Sequence, residues 1–226
     1  MTAGTDPTTQ PRRAGGQATE AGMAFQAAVG TWFAAHILAG SPVGGRFGIG
    51  NTALPLSIRL ETGEALDDIE VTMSDGGSIH AQCKTSATLS ASADGPLGKT
   101  LGQLAIWVAD AKLAGSPPDP ANTAAILAVH TDASRNLDHL EAGCRAFALG
   151  GTWATTCSQR NSKQQNALEI FDSATASAWR THRGLPPQDD DFTDMARVFH
   201  LARFTMEEGS LDWRGASRLI GRNLYG

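Results

Sequence analysis

Between residues 68 and 84 apolar and polar side chains alternate in two consecutive runs. Ile69, Val71 and Met73 interleave with Asp68, Glu70 and Thr72; Ile79, Ala81 and Cys83 interleave with His80, Gln82 and Lys84. A period of two predicts half-buried strands, and Asp75-Gly76-Gly77 supplies the turn between them. A three-residue turn there pairs Ile69 with Cys83, Val71 with Ala81 and Met73 with Ile79. It also sets Asp68 opposite Lys84 and Glu70 opposite Gln82, so that one polar face gathers four functional groups. Asp67 points away from Gln82 in this register and reads as a turn or cap residue.

The remaining pattern is a mixture of helices and strands. Met23 to Leu38 has helical apolar spacing, and a Gly-rich loop from Gly40 to Asn51 leads to a strand at Leu56–Leu60. A Ser-rich loop over Ser86–Gly98 precedes a helix over Lys99–Ala114, and Thr123–His130 reads as a buried strand. Helices are predicted over Leu137–Ala148, Gln164–Arg180, Phe192–Glu207 and Leu211–Leu224. The order gives an α/β fold with an α-β-β-β-α-β core, a mixed sheet flanked by helices, and further helices at the C-terminus. Residues 1–20, rich in Gly, Thr and Pro, are expected to be disordered; residues 21–185 form the main domain and 186–226 a helical extension.

Composition narrows the class. A chain of 226 residues is long enough for one well-packed domain. Its three cysteines, Cys83, Cys144 and Cys157, form neither a disulfide framework nor a metal pattern, which points to a reducing compartment. No apolar run approaching membrane-spanning length and no signal-peptide core are read from the sequence, so a cytoplasmic protein without membrane contact is expected. The net charge of −5 argues against broad electrostatic binding of nucleic acid. A bound cation relieves part of that objection. The basic residues are also unevenly placed: Arg160 and Lys163 share a polar loop, and Arg214, Arg218 and Arg222 make a helical stripe that reads first as a solvated face.

The hairpin's polar face carries the chemistry. Hard divalent cations take oxygen ligands, and Asp68, the Gln82 amide and the Cys83 carbonyl supply a carboxylate, an amide oxygen and a peptide oxygen. A metal held there polarises a phosphate and activates water, while the Lys84 ammonium orients that water and offsets developing charge. An edge hairpin with a solvated polar face accounts for the same alternation.

In order along the chain stand AGMAFQAAVGTWFAAHIL, LPLSIRLE, DDIEV and HAQCKTSATLS. This layout resembles the PD-(D/E)xK nuclease superfamily in its Gln-x-Lys variant. Within it, the chain resembles the double-stranded DNA endonuclease domains of CD-NTase-associated and STAND-type anti-phage proteins, distant relatives of Mrr-type restriction enzymes. The match spans residues 15–115. The resemblance implies a restriction-endonuclease-like core that cuts double-stranded DNA with Mg2+ or Mn2+. It implies Asp68 and Gln82 as metal ligands and Lys84 as the catalytic lysine. Gln26 stands where many relatives keep a supporting Glu, with Glu61 and Glu70 as reserve carboxylates. It further implies an antiviral effector activated by homo-oligomerisation and joined to a sensor or STAND ATPase region. With Gln in place of the second acid, a catalytically inactive nucleic-acid-binding or oligomerisation module on the same fold is the alternative.

Three other features compete. Ala93–Thr100, ADGPLGKT, fits a loose phosphate-loop pattern with Lys99, but lacks the buried strand that this motif requires upstream. Gln103 and Trp107 resemble the Gln-x-x-x-Tyr element of RecB-like nucleases, which makes Gln103 a nucleic-acid-binding candidate beside Arg160 and Lys163; helical packing explains Trp107 equally well. His130, at the end of the buried strand, and Asp132 and Arg135 beyond it are candidates to line the same cleft; a Ser/Thr cap region with an incidental Asp explains them as well.

Overall fold

The computed structural model describes residues 11–224 apart from 64, 67 and 206, with the backbone alone at 11–18 and 222–224. Asp67 and the Arg222 side chain therefore lie outside the described residues. In chain order the elements are α1 (Pro11–Ala39), β1 (Pro55–Leu60), β2 (Ile69–Met73), β3 (Ser78–Lys84), α2 (Pro96–Leu113) and β4 (Thr123–His130). Then come α3 (Leu137–Arg145), α4 (Trp153–Ser158), α5 (Ser162–Arg183), α6 (Asp189–Val198), β5 (Phe199–Phe204) and α7 (Leu211–Leu224). The described part of α1 includes residues 11–20 of the leader expected to lack structure.

Among the described residues the strands form one mixed sheet in the order β1-β2-β3-β4-β5. The first three are antiparallel neighbours, and β3, β4 and β5 run parallel. Odd-numbered residues of β3 and even-numbered residues of β4 face α1 and α7, where Phe33, Phe47, Ile79, Ile126 and Phe204 are buried together. The other face packs Leu127 and Val129 against α2, α3, α5 and α6. Both faces of β4 are thus covered, which is why TAAILAVH reads as one apolar run rather than an alternation.

The β2–β3 register differs from the expected one by two residues. Ile69 pairs with Ala81, Glu70 with His80 and Val71 with Ile79. The cause lies in the turn. Gly76 takes the left-handed position at φ +83, so the three-residue loop is Ser74-Asp75-Gly76 and Gly77 enters the ladder, its carbonyl accepting from Met73 N–H at 2.9 Å. An even shift keeps every side chain on its expected face. Glu70 therefore does not stand opposite Gln82, nor Asp68 opposite Lys84.

The helix expected over Phe192–Glu207 is corrected as well. It ends at Val198, and Phe199–Phe204 becomes the fifth strand, parallel to β4. Helix α6, strand β5 and helix α7 accordingly complete the sheet and both cores instead of trailing behind them. The exposed backbone edge of β5 is partly closed, because Leu201 N–H donates to the Glu141 carboxylate of α3.

By length and composition alone Thr19–Ala39 is apolar enough to cross a membrane, contrary to the expectation from the sequence. In the fold its Phe25, Val29, Trp32, Phe33 and Ala35 stripe is packed on the sheet.

Candidate functional site

The segment ahead of β2 meets β3 at its carboxyl end. Asp68, just ahead of β2, turns its carboxylate towards β3, where Oδ2 accepts the Cys83 backbone N–H at 2.7 Å. The carboxylate thereby takes a ladder position that β2 starts too late to fill. Lys84, the last residue of β3, places Nζ 3.5 Å from the same Oδ2 and donates to Gln82 Oε1 at 2.9 Å. The Cys83 carbonyl leaves the strand on the same side as its N–H, hence on the Asp68 side.

The setting is semi-enclosed. Gln82 is only 1% exposed in a central strand, an expensive place for an amide unless it is hydrogen-bonded, and the Lys84 ammonium provides such a bond. Asp68 and Lys84 keep 17% and 27% of their side chains open to solvent. Burial, with the Asp68 carboxylate adding to it, pushes the Cys83 thiol far above its usual range, so the sulfur stays protonated and only the backbone of Cys83 offers a donor atom.

Behind Asp68 lies a second pair. Gln26, half-buried on α1, donates its amide N–H to Glu61 Oε1 at 2.7 Å and to the Asp68 carbonyl at 3.1 Å. Glu61 N–H reaches the same carbonyl at 3.3 Å. Glu61 has φ +52, and among the described residues it is the single non-glycine residue with positive φ. Strain of this kind persists where the surroundings over-determine it, here by fixing the β1–β2 connection that presents Asp68.

The other sequence candidates are scattered over the fold. Glu70 faces α2 but forms an ion pair at 3.2 Å with Arg59, its direct cross-strand neighbour on β1. Trp107 packs on His80 at 4.8 Å between ring centroids, which is a packing role. Gln103 sits one helical turn earlier on α2; because α2 returns antiparallel to β3, that is the turn nearer Gln82 and Lys84. Arg160 and Lys163 lie between α4 and the start of α5, and no hydrogen bond or ion pair joins either to the cluster among the described residues. Thr100 donates to the Pro96 carbonyl at 3.0 Å within the first turn of α2, so ADGPLGKT opens a helix without an upstream strand. His130 pairs with Glu207 and Asp132; it closes β4 at the same end of the sheet, one residue past Val129, the ladder partner of Lys84. Arg214 and Arg218 are exposed on α7.

His80 and Arg59 are the neighbours that the sequence pattern did not single out. The alternation already put His80 on the polar face, but its burial against Trp107 depends on where α2 docks. No set of three or more His, Cys, Asp and Glu side chains among the described residues could hold a metal by itself. The donors at hand are one carboxylate, one amide oxygen and one peptide carbonyl. No family model matches the chain, and no curated protein or solved structure is significantly similar to it.

Proposed function

We propose that the chain is a metal-dependent endonuclease acting on double-stranded DNA, built on a restriction-endonuclease-like α/β core. The observation that carries this reading is the meeting of Asp68, Gln82 and Lys84 at the carboxyl end of β3, with Gln82 buried and bonded to the lysine.

The donor set suits a magnesium-like ion. Such ions bind through one or two carboxylates and retain waters and substrate phosphates for the remaining positions. Asp68, Gln82 and the Cys83 carbonyl would hold Mg2+ or Mn2+; when bound, the metal polarises the scissile phosphate and lowers the pKa of water. Lys84, now resting on Gln82, orients the attacking water and offsets charge on the phosphate oxygens. Gln26 and Glu61 position the backbone of Asp68, and Gln103 faces the approaching nucleic acid. The cellular reading is a cytoplasmic anti-phage effector that works as a homo-oligomer within a larger protein carrying a sensor or STAND ATPase.

One observation favours a second reading. Asp68 is the single carboxylate of the inner set, and the Cys83 N–H and Lys84 already engage it. A non-catalytic nucleic-acid-binding or oligomerisation module would keep this geometry.

The test is cleavage of plasmid and linear duplex DNA with Mg2+ or Mn2+ by wild type and Lys84→Ala, each free and fused to an oligomerising partner. Gel-shift binding is recorded in parallel. Cutting by wild type alone, with binding retained in the variant, supports the nuclease. Binding without cutting by either protein overturns it in favour of the module.

A further inference from the structure

A cavity of about 510 Å3 opens beside the start of β5. Phe199 and His200 of β5, Arg145 at the end of α3, Ala148, Arg197 of α6 and Gly48 contribute to its wall. It lies towards the amino-terminal ends of β4 and β5, two strands across from β3, whose opposite end carries Lys84. It is thus a separate place in the molecule, and its chemistry is independent of the nuclease reading.

The polar groups here are incompletely paired. Arg197 Nε donates to the Phe147 carbonyl at 3.1 Å, and among the described residues this is its one hydrogen bond. Both terminal nitrogens of this half-buried guanidinium have no acceptor among the described residues and are open to solvent, so its planar fork is free to take a carboxylate or phosphate. His200 is 8% exposed, and its Nδ1 has no hydrogen-bond partner, Glu141 Oε1 being 3.8 Å away. Glu141 is already engaged by Arg145 Nε and Leu201 N–H. Arg145 and Arg197 are the charged side chains in the wall, and the other neighbouring carboxylate, Asp119, is bonded to Ala121 N–H.

The shape is held as well. Gly48 adopts φ +73, and a Cβ there would lie 2.7 Å from His200 Cε1, so the imidazole is seated directly on the backbone of the loop. Phe199 and Ala148 give the cavity an apolar side. A volume of this size, mostly apolar walls and a few converging polar groups are the attributes of a small-molecule site.

We propose that this cavity binds a small organic oxyanion, a carboxylate- or phosphate-bearing molecule whose acid group is held by the Arg197 fork and whose body rests against Phe199. The test titrates the full chain with inorganic phosphate, benzoate and adenosine monophosphate by calorimetry, beside Arg197→Lys and Ala148→Trp. The lysine keeps the charge and loses the fork; position 148 is exposed, so a tryptophan there obstructs the opening without disturbing the core. Saturable binding of at least one probe is expected, weakened tenfold or more by Arg197→Lys and lost in Ala148→Trp. Binding of phosphate or adenosine monophosphate identifies a phosphate group, and binding of benzoate alone a carboxylate. No saturable binding of any probe, or binding that either substitution leaves unchanged, overturns the proposal.

Discussion

Lys84 donates to Gln82 Oε1 at 2.9 Å, while the Asp68 carboxylate is farther from the same ammonium at 3.5 Å. The lysine therefore rests on a neutral oxygen. A carboxylate at position 82 would add a charged ligand and keep the lysine as its partner. Gln82→Glu is expected to raise Mn2+ affinity by on the order of tenfold, equivalent to about 1.4 kcal/mol. Calorimetric titration with Mn2+ checks this, and unchanged affinity would remove residue 82 from the ligand set.

Stability should respond to pH through α7. The Arg46 guanidinium donates to Asp212 Oδ1 at 2.7 Å and to the Arg203 carbonyl at 2.6 Å, and it lies 4.2 Å from the Phe204 ring centroid. Asp212 Oδ2 also accepts Thr205 N–H at 2.7 Å. Burial pushes the Asp212 carboxyl up, but the Arg46 and Thr205 hydrogen bonds outweigh it and hold the group below its ordinary range. A depressed acid stabilises the fold above its unfolded pKa, about 3.9, and this contribution is lost as pH falls through the folded value. Asp212→Asn should lose about 1–2 kcal/mol at pH 7, moderated by the partial exposure of Arg46. Its urea midpoint should also fall less steeply than that of wild type between pH 5 and pH 3. Parallel acid curves for the two proteins would contradict the assignment.

Two adjacent glycines make a matched pair. A Cβ on Gly77 would lie 2.0 Å from the Asn122 carbonyl oxygen, backbone that cannot give way cheaply. On Gly76 it would meet nothing within 4 Å, although φ is +83. Gly77→Ala should therefore lose about 2–3 kcal/mol through overpacking, and Gly76→Ala about 1–2 kcal/mol through backbone strain alone. Urea unfolding of both variants gives the order, and the reverse order would refute the packing account.

The short helix α4 depends on one side chain. Trp153 stacks on Phe147 at 4.8 Å, Phe192 at 5.2 Å and Phe171 at 5.7 Å between ring centroids. A helix of this length has no stability of its own, so these contacts hold it in place. Trp153→Ala should destabilise the protein by about 3–5 kcal/mol and Trp153→Phe by less than half of that. Equal denaturation midpoints for the two variants would show that the stack is not what anchors α4.

Much of the site was legible in the sequence because its parts are local. Alternation alone put Asp68, Gln82 and Lys84 on one face, and an even register shift leaves faces intact. What alternation does not specify is which glycine of the turn takes the left-handed conformation, and this moved Glu70 away from Gln82. The burial of His80 was hidden for another reason: Trp107 of α2 docks on it across the sheet, a long-range event. β5 was obscured by periodicity. Phe192, Met195, Ala196 and Phe199 keep helical spacing up to the chain's change of direction, and the strand beyond is defined by its partner β4.

The local character of the cluster also bears on how the protein is made. Asp68 and Lys84 are sixteen positions apart, and closing so short a loop loses little chain entropy; hairpins of this kind form within about 1–10 μs. The β4–β5 pairing spans a far longer stretch of chain and must come later. A nascent polypeptide that has left the ribosome only as far as α2 already contains Gln26, Glu61, Asp68, Gln82, Cys83 and Lys84.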